Sequence, residues 1–313
     1  MYNEQIKSQF VRDCVRSNET MKNYATVFAL SELFEDKFQK DLCQMDVDEL
    51  SETIESMCNT SRTTMWNRLC LIRSYVRWCI ATNVPGAKKS IENVRITGIE
   101  AARKNMVGNP HELQTHLDAI YCKESDGNID NIYRCFVWMS YVGMGIEDIL
   151  NLEPNNIDIL NKTVVYKGKS YRLCEESLPC VEQCMERVSF VSKHRLHKDR
   201  EEKRIDGTLL LRGTKSMLTV ESARNMLSRH TTQAIKSGSV VKRLSHREVW
   251  DSGLFYRLYK GEIEGITIDF EEVFDFKEEV FGRNPNGVTG SVRDQSIRLL
   301  KSNYEKWKIA FHL

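Results

Sequence analysis

Met65, Leu69, Ile72, Val76 and Cys79 recur at steps of four and three, and only an α-helix places all five on one side. A strand would scatter them over two faces. The stripe predicts a helix over residues 61–80, opened by Ser61 as N-cap and buried along the stripe. Thr63, Asn67, Cys70 and Ser74 then point away from the core, and Arg62, Trp66, Arg73 and Arg77 line one flank. Three more helices precede it. The first covers residues 3–17. The second starts at Asn18 or Thr20 and carries Tyr24, Val27, Phe28 and Leu33. The third opens at Asp46 or Asp48 and runs to Met57. With 5 prolines in 313 residues, little else in the chain interrupts helices.

Periodicity stops at residues 84–108, where Pro85, Gly86, Lys88, Lys89 and Gly98 fall without a sustained apolar stripe. This stretch reads as a basic interdomain linker. Helical patterns resume at residue 109 with PHELQTHLDAIY, followed by a very apolar helix over residues 131–141 and a short one over 146–152. Residues 163–166 and 171–173 read as a hairpin across Lys167–Gly168–Lys169. Helices are expected over 175–191, 219–235, 246–260, 269–281 and 292–311, with a loop or helix end at 193–204 and a short strand at 208–211. The domains are therefore 1–83, the linker 84–108, and 109–313, and the fold class is mostly α with a small β-sheet.

The net charge of +1 conceals a sharp asymmetry. Residues 161–260 hold 21 Lys and Arg against 11 Asp and Glu, whereas residues 109–160 hold 2 against 9. A local basic block of this kind suits a polyanion. No apolar run is long enough to span a bilayer, and the first residues lack an apolar signal core, so the expected compartment is the cytoplasm. The 10 cysteines include no CxxC pair. Cys180 and Cys184 with His194 and His197 come nearest to a zinc cluster, but reduced, buried thiols are the expected state, with no metal and no cofactor.

Two stretches carry a more specific signal: YVGMGIEDILNLEPNNIDI at 141–159 and RLSHREVWDSGLFYRLYKGE at 243–262. They resemble the two active-site boxes of tyrosine recombinases, which run roughly TGLRxxELLxLxWxDID and TxHDLRHTxATxLxxxG. The N-terminal pieces SNETMKNYATVFALSELF, DLCQMDVDEL and TSRTTMWNRLCLIRSYVRWCIATN similarly resemble, in order, the core-binding domain of phage integrases. Within that superfamily the chain is similar to the MrpR-type master lytic-cycle repressors of SPbeta-like Bacillus phages. The resemblance implies a two-domain, C-shaped DNA clamp and the maintenance of lysogeny by repression of lytic genes.

The family reaction is attack by a tyrosine on a DNA phosphate. Two arginines and a histidine hold the charged transition state, and a hairpin lysine protonates the leaving oxygen; such preorganised charge is commonly the largest part of catalysis. Measured against that set, Gly145 stands at the first arginine, with Asp148 keeping the acidic brace three residues later. Lys167 and Lys169 occupy the hairpin. Arg247 stands at the first position of the HxxR box and Trp250 at its arginine; a register starting at His246 puts Val249 there instead. The literal HxxR at 197–200 lies in a charged stretch without the flanking apolar pattern. Arg283 stands at the family's histidine or tryptophan, and Tyr304 is the candidate nucleophile, 22 residues beyond Gly282 and about twice the family spacing.

The catalytic set is thus vestigial and no catalytic residue is expected. Lys88, Lys89, Lys167, Lys169, Arg172, Arg243, His246 and Arg247 are expected along the DNA backbone, and Arg62, Thr63, Trp66 and Asn67 at base edges. The expected function is sequence-specific binding of double-stranded DNA as a repressor, with a phage-encoded effector or self-association as further partners. Two alternatives belong to other classes: an active, divergent recombinase using Tyr304, and a recombination accessory factor acting through protein contacts.

Overall fold

Local capping starts the N-terminal helices close to where the sequence places them, the cap of the second being Ser17 and not the expected Asn18 or Thr20. The Ser17 hydroxyl accepts from Thr20 N–H at 3.1 Å. Asp46 and Glu49 form a reciprocal box, each side chain accepting the other's backbone N–H at 2.9 Å. The computed structural model describes residues 2–57, 62–95, 97–121, 129–186, 189–192, 200–204, 212–213, 219–287 and 289–313. The first helices are α1 (Glu4–Cys14), α2 (Asn18–Phe38), α3 (Val47–Met57) and α4 (Arg62–Ala81). All five stripe residues of α4 are buried, packed with Phe10, Tyr24, Phe28, Leu50 and Ile54. Ser61, expected as the α4 cap, lies outside the described residues.

The basic linker is a correction. The chain divides into two compact units, Met1–Ala102 and Arg103–Leu313, so residues 84–102 belong to the first. Ile91, Val94 and Ala101 are buried in its core. The Glu55 carboxylate, on α3, accepts from Thr97 N–H at 2.6 Å, Gly98 N–H at 3.2 Å and Glu100 N–H at 3.3 Å. It thereby caps α5 (Ile99–Asn105) from another element. Lys88 and Lys89 remain exposed beside this structured segment.

In the second unit, Asn109 caps α6 (Pro110–Ile120), accepting from Glu112 N–H at 2.9 Å. Helix α7 (Asp130–Tyr141) is buried on almost every face, as its composition predicts. It is followed by α8 (Ile146–Leu150) and an antiparallel sheet of β1 (Ile157–Asp158), β2 (Thr163–Tyr166) and β3 (Lys169–Arg172). Helix α9 (Leu178–Glu186) buries Cys180 and Cys184, and it ends before the helix predicted to residue 191. A second sheet takes over instead: β4 (Ser189–Ser192), β5 (Arg200–Arg204) and β6 (Arg212–Gly213), all antiparallel. Part of the region read as a loop or helix end is thus a strand. Ladder hydrogen bonds to β4 hold β5 in place, which its charged side chains do not reveal. His194, His197 and the short strand expected at 208–211 lie outside the described residues.

Four helices close the unit: α10 (Val220–Lys236), α11 (His246–Ile263), α12 (Phe270–Val280) and α13 (Gly290–Phe311). Helices α7 and α11 touch backbone to backbone. A Cβ on Gly253 would fall 1.8 Å from the Tyr141 carbonyl oxygen, so the crossing admits only glycine. No described helix is long and apolar enough to cross a membrane.

Candidate nucleic-acid interface

The tip of the β2–β3 hairpin is a two-residue turn, Lys167–Gly168, with φ of 49° and 76°. Both residues adopt the left-handed conformation of the hairpin turn whose twist matches its strands. Lys167 therefore projects at the turn, and Lys169 follows opposite Tyr166. The start of α8, the tip of this hairpin, the start of α11 and the C-terminal end of α12 surround one pocket of about 730 Å³. Gly145, Lys167, Lys169, His246, Arg247 and Arg283 all line it. Five positions picked from the two boxes and the hairpin, and Arg283 beyond them, spread over 139 residues of sequence, thus share one cavity.

Positions 145 and 250, where the resemblance leads one to expect the family's two arginines, are occupied by packing. A Cβ on Gly145 would lie 2.7 Å from the Val280 carbonyl oxygen, nearer than a side chain approaches a backbone atom. Gly145 itself is extended (φ −75°, ψ 156°), so the contact excludes a side chain there, not backbone conformation. Trp250 is fully buried. Its ring stacks on Phe276 at 6.1 Å and meets Phe281 edge-on at 5.0 Å, and its indole nitrogen has no hydrogen-bond partner. Neither position presents a donor to the pocket.

Lys167, Lys169, Arg247 and Arg283 each lie beside a carboxylate. Lys167 Nζ is 2.8 Å from Asp148, which raises the lysine's pKa, and Lys169 Nζ is 3.0 Å from Glu279. Arg283 is 3.2 Å from Glu278, and Arg247 is 3.8 Å from Asp251. These cations are 45–67% exposed, so each pair is readily exchanged for another anion. His246 differs. It is 3% exposed, its ring lies 5.7 Å from that of Phe136, and Nε2 has no partner. Burial first, and the nearby Arg224 second, push its pKa down to about 4, so it is neutral at pH 7.

Tyr304 is elsewhere in the unit. Its ring is 1% exposed among Phe255, Phe270 and Trp307, and its hydroxyl donates to Glu262 at 2.7 Å. Burial and then the Glu262 carboxylate raise its pKa, the opposite of what a nucleophile needs. Arg172 and Arg243 are exposed but do not line the pocket. In the first unit, Trp66 and Asn67 are exposed on α4, with Arg73 5.9 Å from the Trp66 ring. The side chains of Arg62 and Thr63 lie outside the described residues.

The sequence reading missed the polar face of α10. Arg224, Asn225 and Ser228 line the pocket, and Asn225, Arg229 and Arg243 line an adjoining surface depression. The signal was present: Ala223, Leu227 and Ala234 bury one side, leaving Glu221, Asn225, Arg229 and Thr232 to recur on the other.

Among known proteins, residues 1–81 match the family model of the MrpR N-terminal core-binding domain. The N-terminal segment is thus similar to an MrpR core-binding domain. With the second unit, in which the box positions converge, the chain has two compact units and is mostly α with small β-sheets. Solved structures similar to the chain include the XerA recombinase (13% identity, TM-score 0.38, covering 94% of this chain and 92% of that one). The integrase from mycobacterium phage Brujita is 11% identical, with TM-score 0.35, covering 97% and 90%. A lambda integrase dimer bound to a core site is 10% identical, with TM-score 0.33, covering 93% and 92%. No curated protein matches the chain.

Proposed function

We propose that this MrpR-type chain binds double-stranded DNA sequence-specifically as a repressor of phage lytic genes and does not cut it. One observation carries the reading. The pocket keeps Lys167, Lys169, Arg247 and Arg283, while the positions of both catalytic arginines are closed, one by the Val280 carbonyl and one by the buried Trp250. Exposed cations bind phosphate; without the arginine clamp the pentavalent transition state loses at least one donor worth about 3–4 kcal/mol. Sequence choice is assigned to α4, where Trp66 and Asn67 are presented to solvent and asparagine pairs with adenine.

The test is a gel shift on operator-containing and random duplex beside a covalent-adduct assay on a nicked suicide substrate. Salt-sensitive binding without adduct is expected. Asn67→Ala should reduce the preference for the specific site by about 1–3 kcal/mol and leave random DNA nearly unaffected. A protein–DNA adduct that disappears in Tyr304→Phe would establish the active-recombinase reading instead.

A further inference from the structure

We infer that Glu279 is an intramolecular stand-in for a DNA phosphate: it occupies Lys169 in the free protein and must be displaced when DNA binds. The inference rests on the DNA-binding reading and adds a device that sets its strength. Helix α12 ends at the pocket, and its last residues fill it in two ways. The Val280 carbonyl takes the space of a side chain at position 145, and the next residue back, Glu279, reaches across to Lys169 at 3.0 Å.

Lys169 also meets an aromatic ring of the same helix, its Nζ lying 5.4 Å from the Phe276 centroid. Phe281, one turn-end residue further, packs on Trp250 and under Arg247, whose guanidinium is 5.4 Å from its ring. The C-terminal end of α12 thus meets the hairpin lysine, the box arginine and the vacant arginine position together. A carboxylate presents two anionic oxygens, as a phosphodiester presents its two non-bridging oxygens, and both accept hydrogen bonds from an ammonium.

The pair is half exposed, at 45% for Lys169 and 52% for Glu279. Such a contact is weak enough for a phosphate to replace and strong enough to register in affinity. Its presence also alters the counterion count. The ions released are cations condensed on the DNA, and a lysine whose charge is offset by the neighbouring Glu279 carboxylate displaces fewer of them, so the salt slope falls short of the number of phosphate contacts by up to about 0.9 for this residue.

The experiment measures duplex affinity by fluorescence anisotropy across a salt series for the wild type, Glu279→Gln, Lys169→Ala and the double variant, each checked for folding by circular dichroism. Glu279→Gln is isosteric and exposed, so the fold is retained. The expected result is binding about two- to fivefold tighter at low salt than the wild type, with a slope steeper by up to about 0.9. Both gains should vanish when Glu279→Gln is introduced beside Lys169→Ala. Tightening that persists undiminished without Lys169 would reduce the effect to net charge and overturn the stand-in. Wild-type binding indistinguishable from that of Glu279→Gln would also overturn it, leaving DNA binding intact. A wild type that binds no duplex at low salt would remove the DNA reading and this inference with it.

Discussion

Gly145→Ala isolates the contact that closes the first arginine position. At φ −75° and ψ 156° alanine is unstrained, and replacing glycine stabilises such a site by about 0.4–1 kcal/mol through the unfolded chain. Gly145 is also the N-cap of α8, where glycine is preferred to alanine, which offsets a similar amount. Backbone terms therefore cancel to near zero. What remains is a Cβ 2.7 Å from the Val280 carbonyl oxygen, a backbone atom that cannot rotate aside. Forcing α12 and α8 apart is an overpacking cost of about 1–3 kcal/mol. For a unit the size of Arg103–Leu313 that lowers Tm by about 2–12 °C. Gly145→Arg should lower it at least as far and should form no covalent adduct. Calorimetry of the full chain reads the first variant, and a suicide substrate reads the second. A Gly145→Ala protein melting within about 2 °C of the wild type, or an adduct from Gly145→Arg, would refute the argument that packing has sealed this position.

Three other outcomes follow from the geometry. A fragment of residues 1–102 should be more stable to urea than one of residues 1–81, because the shorter piece uncovers the sites of Ile91 and Val94 and leaves the Glu55 carboxylate without its three backbone donors; equal midpoints would contradict the placement of residues 84–102 in the first unit. His246 has a folded pKa depressed to about 4, so the unfolded chain binds the proton more tightly; its contribution is complete above about pH 6.5 and is lost as pH falls toward 4, by up to about 3 kcal/mol. Chemical denaturation of the wild type and His246→Gln between pH 7 and 5 should show a smaller pH effect in the variant, and parallel curves would exclude His246 as the cause. Tyr304→Phe should bind DNA like the wild type while losing about 1–2 kcal/mol of stability with the Glu262 hydrogen bond, whereas a folded variant that no longer binds would place the hydroxyl at the interface.

What the sequence disclosed depended on how local the cause was. The α4 stripe and the start of α6 at Asn109 are decided within one or two helical turns, and they formed where they were read, while the cap of α2 fell on Ser17, one residue before the expected Asn18. The pocket was legible too, since resemblance to two boxes and a hairpin supplied five of its positions and Arg283 a sixth. Residues 84–102 were misread because Ile91 and Val94 have no period of their own, and the cap of α5 comes from Glu55, more than forty residues away. Strand β5, Arg-Glu-Glu-Lys-Arg, has no apolar face to signal a strand and is defined by pairing with β4. The closure of position 145 was invisible for the same reason: it is made by a backbone oxygen 135 residues later.

The packing around Trp250 has a consequence for how such a sequence can change. Its indole is held between Phe276 and Phe281, both belonging to the segment that also delivers Val280 to Gly145. An arginine at 250 would place an unpaired charge among those rings, and an arginine at 145 would strike the backbone beside them. Each reversal is harmful until α12 has moved, and α12 has no reason to move until both are made. An arginine introduced at either position alone is therefore expected to lower stability, so positions 145 and 250 and the end of α12 are coupled and have to change together.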